Sequence, residues 1–138
     1  MSLEKNKKLV LQCTDEYYNE KEFDTLDKYF AKDFVWRGPT STMNREEFLG
    51  ASQFMTNAFP DLKIIIDDLT AEDDKVIKQW TMKATHQGEY AGVPATGNSI
   101  EVHGYATFGI KDNIIVEIWE VMDSLSLMQQ IGAIPQPA

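Results

Sequence analysis

The chain has 138 residues, of which 43% are hydrophobic and 25% are charged, the balance of an ordinary single-domain protein. Its formal net charge of -9 opposes binding to nucleic-acid phosphates or to anionic membrane surfaces. One cysteine cannot form an internal disulfide, and no segment reaches the ~18 apolar residues of a membrane span or contains the apolar run of a secretory signal. We therefore predict one cytoplasmic domain over residues 1–138, with neither nucleic acid nor membrane as a partner.

Three helices are predicted in the first half of the chain. Apolar residues at helical spacing indicate one helix from about Glu4 to Asn19 and a shorter one from about Asp24 to Ala31. Residues 33–39, "DFVWRGP", form a short extended segment stopped by glycine and proline. Asn44 followed three residues later by Glu47 is the start signature of a third helix.

Long strands dominate the second half of the chain. Polar turns, "AEDD" and "KDN", separate two pairs of candidates, so antiparallel hairpins are expected. Helices followed by antiparallel strands indicate an α+β fold in which the helices cover one face of a single curved sheet. The strand candidates are rich in Ile, Val, Thr, Trp and Tyr and span residues 62–69, 75–86, 99–110 and 114–123.

Asp123 lies where the last strand meets a short predicted helix, Leu125 to Ile131, and two roles are open for it. As the helix N-cap it would stabilise the fold by about 1 kcal/mol. Alternation also places Asp123 on the strand face of Ile115, Trp119 and Val121, so its side chain could instead point into an enclosed space. There its pKa would be raised, as suits a general acid or base near neutrality.

Histidines and aromatic residues supply the other candidate site residues. His86 shares an apolar strand face with Trp80, whereas His103 is predicted on a polar face, so the two histidines do not form a metal site. A lone histidine on an apolar face is more often a hydrogen-bonded core residue than a catalyst. Large aromatic side chains also usually fill a core, but they suit the wall of a pocket for a flat organic molecule. The candidate walls are Trp36, Phe54, Phe59, Trp80 and Trp119.

Several motifs together resemble one known family. They are Phe59-Pro60-Asp61, a loop that runs from Thr85-His86-x-Gly88 to Gly92-x-Pro94-x-Thr96-Gly97, Trp119-x-x-x-Asp123, and the closing Gln130-Ile131-Gly132. In this combination the chain is similar to the SnoaL-like polyketide cyclases, also called ester cyclases, of the nuclear transport factor 2-like superfamily. The resemblance covers most of the chain.

The resemblance implies a cone-shaped α+β barrel whose N-terminal helices pack on a curved, mainly antiparallel sheet around a deep pocket, often in a homo-oligomer. It also implies an intramolecular aldol reaction without metal or organic cofactor, with the carboxylate that matches Asp123 as acid and base. His86 would be its polar partner. Many members carry a histidine where this chain has Trp36 and Arg37, and Arg37 could bind an enolate, carboxylate or carbonyl oxygen.

Two hypotheses therefore stand. In the first, the protein is a cofactor-independent cyclase or isomerase that acts on a small hydrophobic carbonyl compound. In the second, it is a non-catalytic protein that binds a small apolar ligand in the same pocket, and Asp123 only caps its helix.

Overall fold

The N-terminal helix follows the sequence prediction closely. The computed structural model of the protein describes residues 2–135. Helix α1 spans Leu3–Cys13 and continues without interruption as a π-helical segment, Thr14–Asn19. Its buried side includes Val10 and Tyr17, which are fully excluded from solvent. The predicted helical spacing of these apolar residues thus identifies the face that packs on the core.

The second predicted helix is shorter than expected. It consists of a 3₁₀ turn at Phe23–Thr25 and a single turn, α2, at Leu26–Tyr29. Phe30 already has extended backbone angles and begins strand β1, Phe30–Arg37. The chain leaves the helix here because Phe30 pairs with Ile115 of the last strand and its ring is fully buried. A tertiary contact thus overrides local helical spacing.

The third helix has the predicted start. A short strand, β2, spans Thr42–Asn44, and helix α3 spans Arg45–Ala58. The Asn44 side chain accepts a hydrogen bond from the Glu47 backbone N–H, and the Glu47 carboxylate accepts one from the Asn44 N–H, each at 2.9 Å. This reciprocal capping box satisfies two backbone donors that a helix start leaves free. Three residues are too few for strand alternation to reveal β2 in the sequence.

One six-stranded sheet contains all the strands, in the order β2-β1-β6-β5-β4-β3. Neighbouring strands are antiparallel except for β1 and β6, which are parallel. The sheet is mixed and is not closed on itself, and the predicted α+β class is confirmed. The four long strands are β3 Lys63–Glu72, β4 Lys75–Thr85, β5 Ser99–Lys111 and β6 Ile114–Met122, and β6 leads into helix α4, Ser124–Gln130.

Irregular pairing in the sheet shapes the space between sheet and helices. The register shifts within β1, within β3 near Asp67, and between β5 and β6 near Val116. Such bulges bend a strand and increase its local twist. Alternate residues of β4 and β5 then point inward and are buried, and α3 adds Phe48 and Ala58 to the same core. Within residues 2–135, no helix is both long and apolar enough to cross a membrane.

Candidate functional site

A pocket of about 330 Å³ lies between helix α3 and the inner face of the sheet. Its volume is at the lower end of the range for small-molecule sites. Most of its wall is apolar, and the polar residues of the wall are Tyr18, Ser52, Thr56, Lys78, Glu120 and Ser124. The apolar wall includes Phe48, Met55, Leu62, Ile64, Met82 and Met122.

Glu120 places a carboxyl group in this pocket. It lies on β6 between Ile118 and Met122, the two neighbours that share its strand face. The Trp36 indole Nε1–H donates a hydrogen bond to its Oε1 at 2.9 Å. Burial raises the pKa of Glu120, while the positive charge of Lys78 and the Trp36 hydrogen bond oppose that rise. A carboxyl group with a raised pKa can both accept and return a proton near neutrality.

Lys78 is a second ionisable group of the pocket wall, and its residue is only 2% exposed. Its Nζ donates a hydrogen bond to Thr14 Oγ1 at 3.3 Å. It also lies over the aromatic rings of Tyr18 and Phe108, at 4.7 and 5.1 Å from their centroids. Burial lowers the pKa of Lys78, and the charge of Glu120 opposes that lowering. The pocket thus combines a lysine and a glutamate whose charged forms are both disfavoured by burial.

Two glycines leave space for the indole rings of the two tryptophans that line the pocket. A Cβ added to Gly38 would lie 2.5 Å from Cη2 of Trp36, and one added to Gly104 would overlap the ring of Trp80. Both indoles therefore pack against backbone at positions where a side chain larger than that of glycine would overlap the ring. Trp36 and Trp80 line the pocket; their contact with a substrate stays a prediction. The Trp80 Nε1–H is buried and makes no hydrogen bond of good geometry among the described residues, but it lies near enough to the Glu120 carboxyl group to oppose the rise in the pKa of that group.

The expectation that Asp123 points into the enclosed space is wrong. Its side chain is exposed and accepts a hydrogen bond from the Ser126 N–H at 3.0 Å, which makes it the N-cap of α4. The alternation argument fails because the bulge near Val116 changes the phase of β6: Ile115 is buried, while Trp119 and Val121 are 54% and 52% exposed. A catalytic role for Asp123 stays a prediction that this geometry does not support.

Loss of the cap should be measurable. Asp123→Ala is expected to lower the free energy of unfolding by about 1 kcal/mol, because the Ser126 N–H loses its acceptor. Asp123→Asn should change it by only a few tenths of that amount, since asparagine caps as well as aspartate. Urea denaturation of both variants checks the prediction, and equal stability of the Ala and Asn variants would contradict the cap.

His86 is fully buried outside the residues that line the pocket. Its Nδ1 accepts a hydrogen bond from the Thr96 N–H at 3.3 Å and lies 2.9 Å from Thr96 Oγ1. The ring packs 5.5 Å from that of Phe59. Among the described residues no hydrogen bond joins His86 to Asp123, so the structure does not bring the two predicted catalytic residues together. The role of His86 as a polar partner in catalysis stays a prediction.

The remaining predicted binding residues lie outside the pocket wall. Phe59 is fully buried in the core, and Phe54 is 47% exposed on α3. Trp119 lies on the outer face of the sheet with the Arg37 guanidinium 5.3 Å above its ring, and Arg37 also pairs with Glu117 at 3.4 Å. Their predicted contact with substrate therefore finds no support in this pocket. The predicted homo-oligomer, which could cover the outer face, stays a prediction.

Sequence reasoning missed the two ionisable groups of the pocket. Alternation along β4 offered a signal, because Lys78 lies two residues before Trp80 and must share its face. Glu120 was concealed because Trp119 and Val121 suggested that the opposite face was the inner one. Among residues 2–135, no three His, Cys, Asp or Glu side chains cluster so as to hold a metal ion.

The family model for the SnoaL-like polyketide cyclases matches residues 8–131. Among solved structures, AclR from Streptomyces galilaeus, described as a proposed hydroxylase, has a TM-score of 0.92 and 27% identity, over 99% of this chain and 87% of AclR. IdmH from Streptomyces antibioticus, described as a proposed polyketide cyclase, has a TM-score of 0.83 and 26% identity, over 92% and 98%. TsrD from Streptomyces laurentii has a TM-score of 0.86 and 26% identity, over 97% and 99%. A comparison with curated proteins finds no match.

Proposed function

The chain belongs to the family of SnoaL-like polyketide cyclases, and we propose that it catalyses proton transfer at an activated carbon of a small hydrophobic carbonyl compound. The product would be a ring closed by an intramolecular aldol reaction, or a related isomer. The proposal rests on the Glu120 carboxyl group, whose pKa is raised by burial in a largely apolar pocket. Asp123 is replaced in this proposal because its side chain lies at the surface as a helix cap.

The proposed reaction begins at the Glu120 carboxylate. Its Oε1 accepts the Trp36 hydrogen bond, which orients the carboxylate towards the pocket. The carboxylate takes a proton from the carbon next to a carbonyl group. The electron pair of the C–H bond forms a C=C bond, and the π pair of the carbonyl group moves onto its oxygen to give an enolate. The enolate carbon attacks a second carbonyl of the same molecule, and the resulting alkoxide takes the proton back from Glu120. All atoms of the substrate are retained.

Two other features of the pocket support this chemistry. The Trp80 Nε1–H lies near enough to Glu120 to oppose the rise in its pKa, so it can also donate to a substrate oxygen bound beside that carboxylate, in surroundings where burial strengthens such a hydrogen bond. The walls made by α3 and the sheet can hold a flexible substrate in a folded conformation, so that the two reacting carbons meet often.

Deuterium exchange at the activated carbon tests the proposal. Aryl ketones exchange these protons slowly without a catalyst, so incubation in D₂O followed by mass spectrometry reports the proton transfer alone. We expect the protein to accelerate exchange and the rate to rise with pH through the raised pKa of Glu120, because the carboxylate is the base.

A pocket-filling variant is the control. Ala51 of α3 lines the pocket, so Ala51→Trp should abolish the exchange while circular dichroism and the melting temperature show that the fold is retained. If aryl ketones bind competitively with a fluorescent pocket dye but show no accelerated exchange, the proposal fails and the non-catalytic binding protein is the better description.

A further inference from the structure

The buried amine of Lys78 has no role in the proton transfer described above, yet it lies in the same pocket. Lysine is almost never fully buried unless it is paired, because removing an ammonium group from water costs several kcal/mol. Lys78 is only 2% exposed and projects from the inner face of β4, two residues from Trp80. Its retention in an apolar wall therefore needs a chemical reason.

A structural ion pair does not supply that reason. Among the described residues, no carboxylate lies within ion-pair distance of Lys78 Nζ, and its hydrogen bond is to the neutral hydroxyl of Thr14 at 3.3 Å. That hydroxyl donates its own proton to the Val10 carbonyl at 2.8 Å, so it serves Lys78 as an acceptor. The amine thus has one neutral hydrogen-bond partner and lies over the rings of Tyr18 and Phe108, while Glu120 acts on it from a greater distance.

The surroundings also favour the neutral, nucleophilic form of the amine. Burial is the largest influence on Lys78 and lowers its pKa, which enlarges the neutral fraction near pH 7. Lysines that form Schiff bases with carbonyl compounds are activated by desolvation of this kind. By contrast, Lys83 on the opposite face of β4 has a side chain that is 59% exposed and paired with Glu101.

We infer that Lys78 is a nucleophile that captures an aldehyde or ketone in the pocket as an imine. The Lys78 lone pair attacks the carbonyl carbon, and a proton moves from nitrogen to oxygen to give a carbinolamine. The Glu120 carboxylic acid then protonates the hydroxyl, which leaves as water while the C=N bond forms. The inference rests on the proposed function for the carbonyl class of ligand, and it extends that function, because an iminium carbon activates its neighbouring C–H bond more strongly than a ketone does.

Reductive trapping tests the inference. The wild-type protein is incubated with benzaldehyde and sodium cyanoborohydride, which reduces an imine to a stable secondary amine. The modified lysines are then located by mass spectrometry after digestion with a protease that does not cut at lysine. We expect Lys78 to be labelled at least about tenfold faster than Lys83, because binding in the pocket holds the aldehyde next to the amine. A pocket dye that competes with benzaldehyde should suppress labelling at Lys78 and leave Lys83 unchanged.

The outcomes separate this inference from the proposed function. Labelling spread over surface lysines without preference for Lys78, or Lys78 labelling that the dye does not suppress, would overturn the imine. Ketone exchange that persists in Lys78→Met but is lost in Glu120→Gln would overturn the imine as a step of the reaction and leave the proposed function intact. Selective Lys78 labelling without any ketone exchange would overturn the proposed function alone.

Discussion

Glu120→Gln is expected to lower the rate of proton exchange by about 10²- to 10⁴-fold, the usual contribution of a general base. The change replaces one oxygen by an amide nitrogen, so the side chain keeps its size and its carbonyl oxygen can still accept the Trp36 hydrogen bond. What it loses is the ability to accept and return a proton. The initial rate of deuterium incorporation into an aryl ketone measures the effect.

Asp123→Asn is the matched control for this prediction. It makes the same chemical change three residues away, at an exposed side chain that caps α4. We expect its exchange rate to equal that of the wild type. The opposite pattern, with loss in Asp123→Asn and retention in Glu120→Gln, would return the catalytic role to the residue that the sequence motif favours.

The second large expected effect concerns stability. The double variant Lys78→Met, Glu120→Leu should raise the free energy of unfolding by about 1–4 kcal/mol, because apolar side chains of similar size often replace buried charges with a gain. Both native groups carry a cost when charged, since burial raises the pKa of Glu120 and lowers that of Lys78. Urea denaturation at neutral pH measures the gain in stability. The double variant should also exchange ketone protons more slowly, because it lacks the Glu120 carboxylate.

The directions of the two pKa shifts determine the pH range in which the double variant gains most stability. Burial raises the pKa of Glu120 above its usual value of 4.5, so its contribution to stability is fully present below that value and is lost as pH rises through the raised pKa. Burial lowers the pKa of Lys78, so its contribution is present above the usual value of 10.5 and is lost as pH falls through the lowered pKa. The double variant should therefore gain most between the two shifted pKa values.

The single variant Lys78→Met shows what one of the two groups does to stability when it is left alone. Lys78→Met removes the positive charge that opposed the raised pKa of Glu120, so this variant should lose stability more steeply than the wild type as pH rises above the usual value of 4.5. If the double variant is no more stable than the wild type at neutral pH, the two charged groups do not destabilise the fold.

Local sequence signals identify the helices and long strands because their causes are local. The Asn44–Glu47 capping box is made within four residues, and the apolar stripe of α1 follows from helical geometry alone. Strand β2 and the parallel pairing of β1 with β6 were not predicted. The pairing of β1 with β6 joins segments that are distant in sequence, and β2, although it follows β1 closely, has only three residues, too few to show strand alternation.

The sequence by itself determined the fold class and the family, since these rest on periodicity and on motifs that local residues complete, and it left two roles open for Asp123. Only the tertiary structure decided which carboxyl group enters the pocket. One bulge near Val116 changes the alternation of β6, so Glu120 faces inward while Trp119 and Asp123 do not. Register between strands depends on pairing across the sheet, and a shift of one residue exchanges the two faces of a strand.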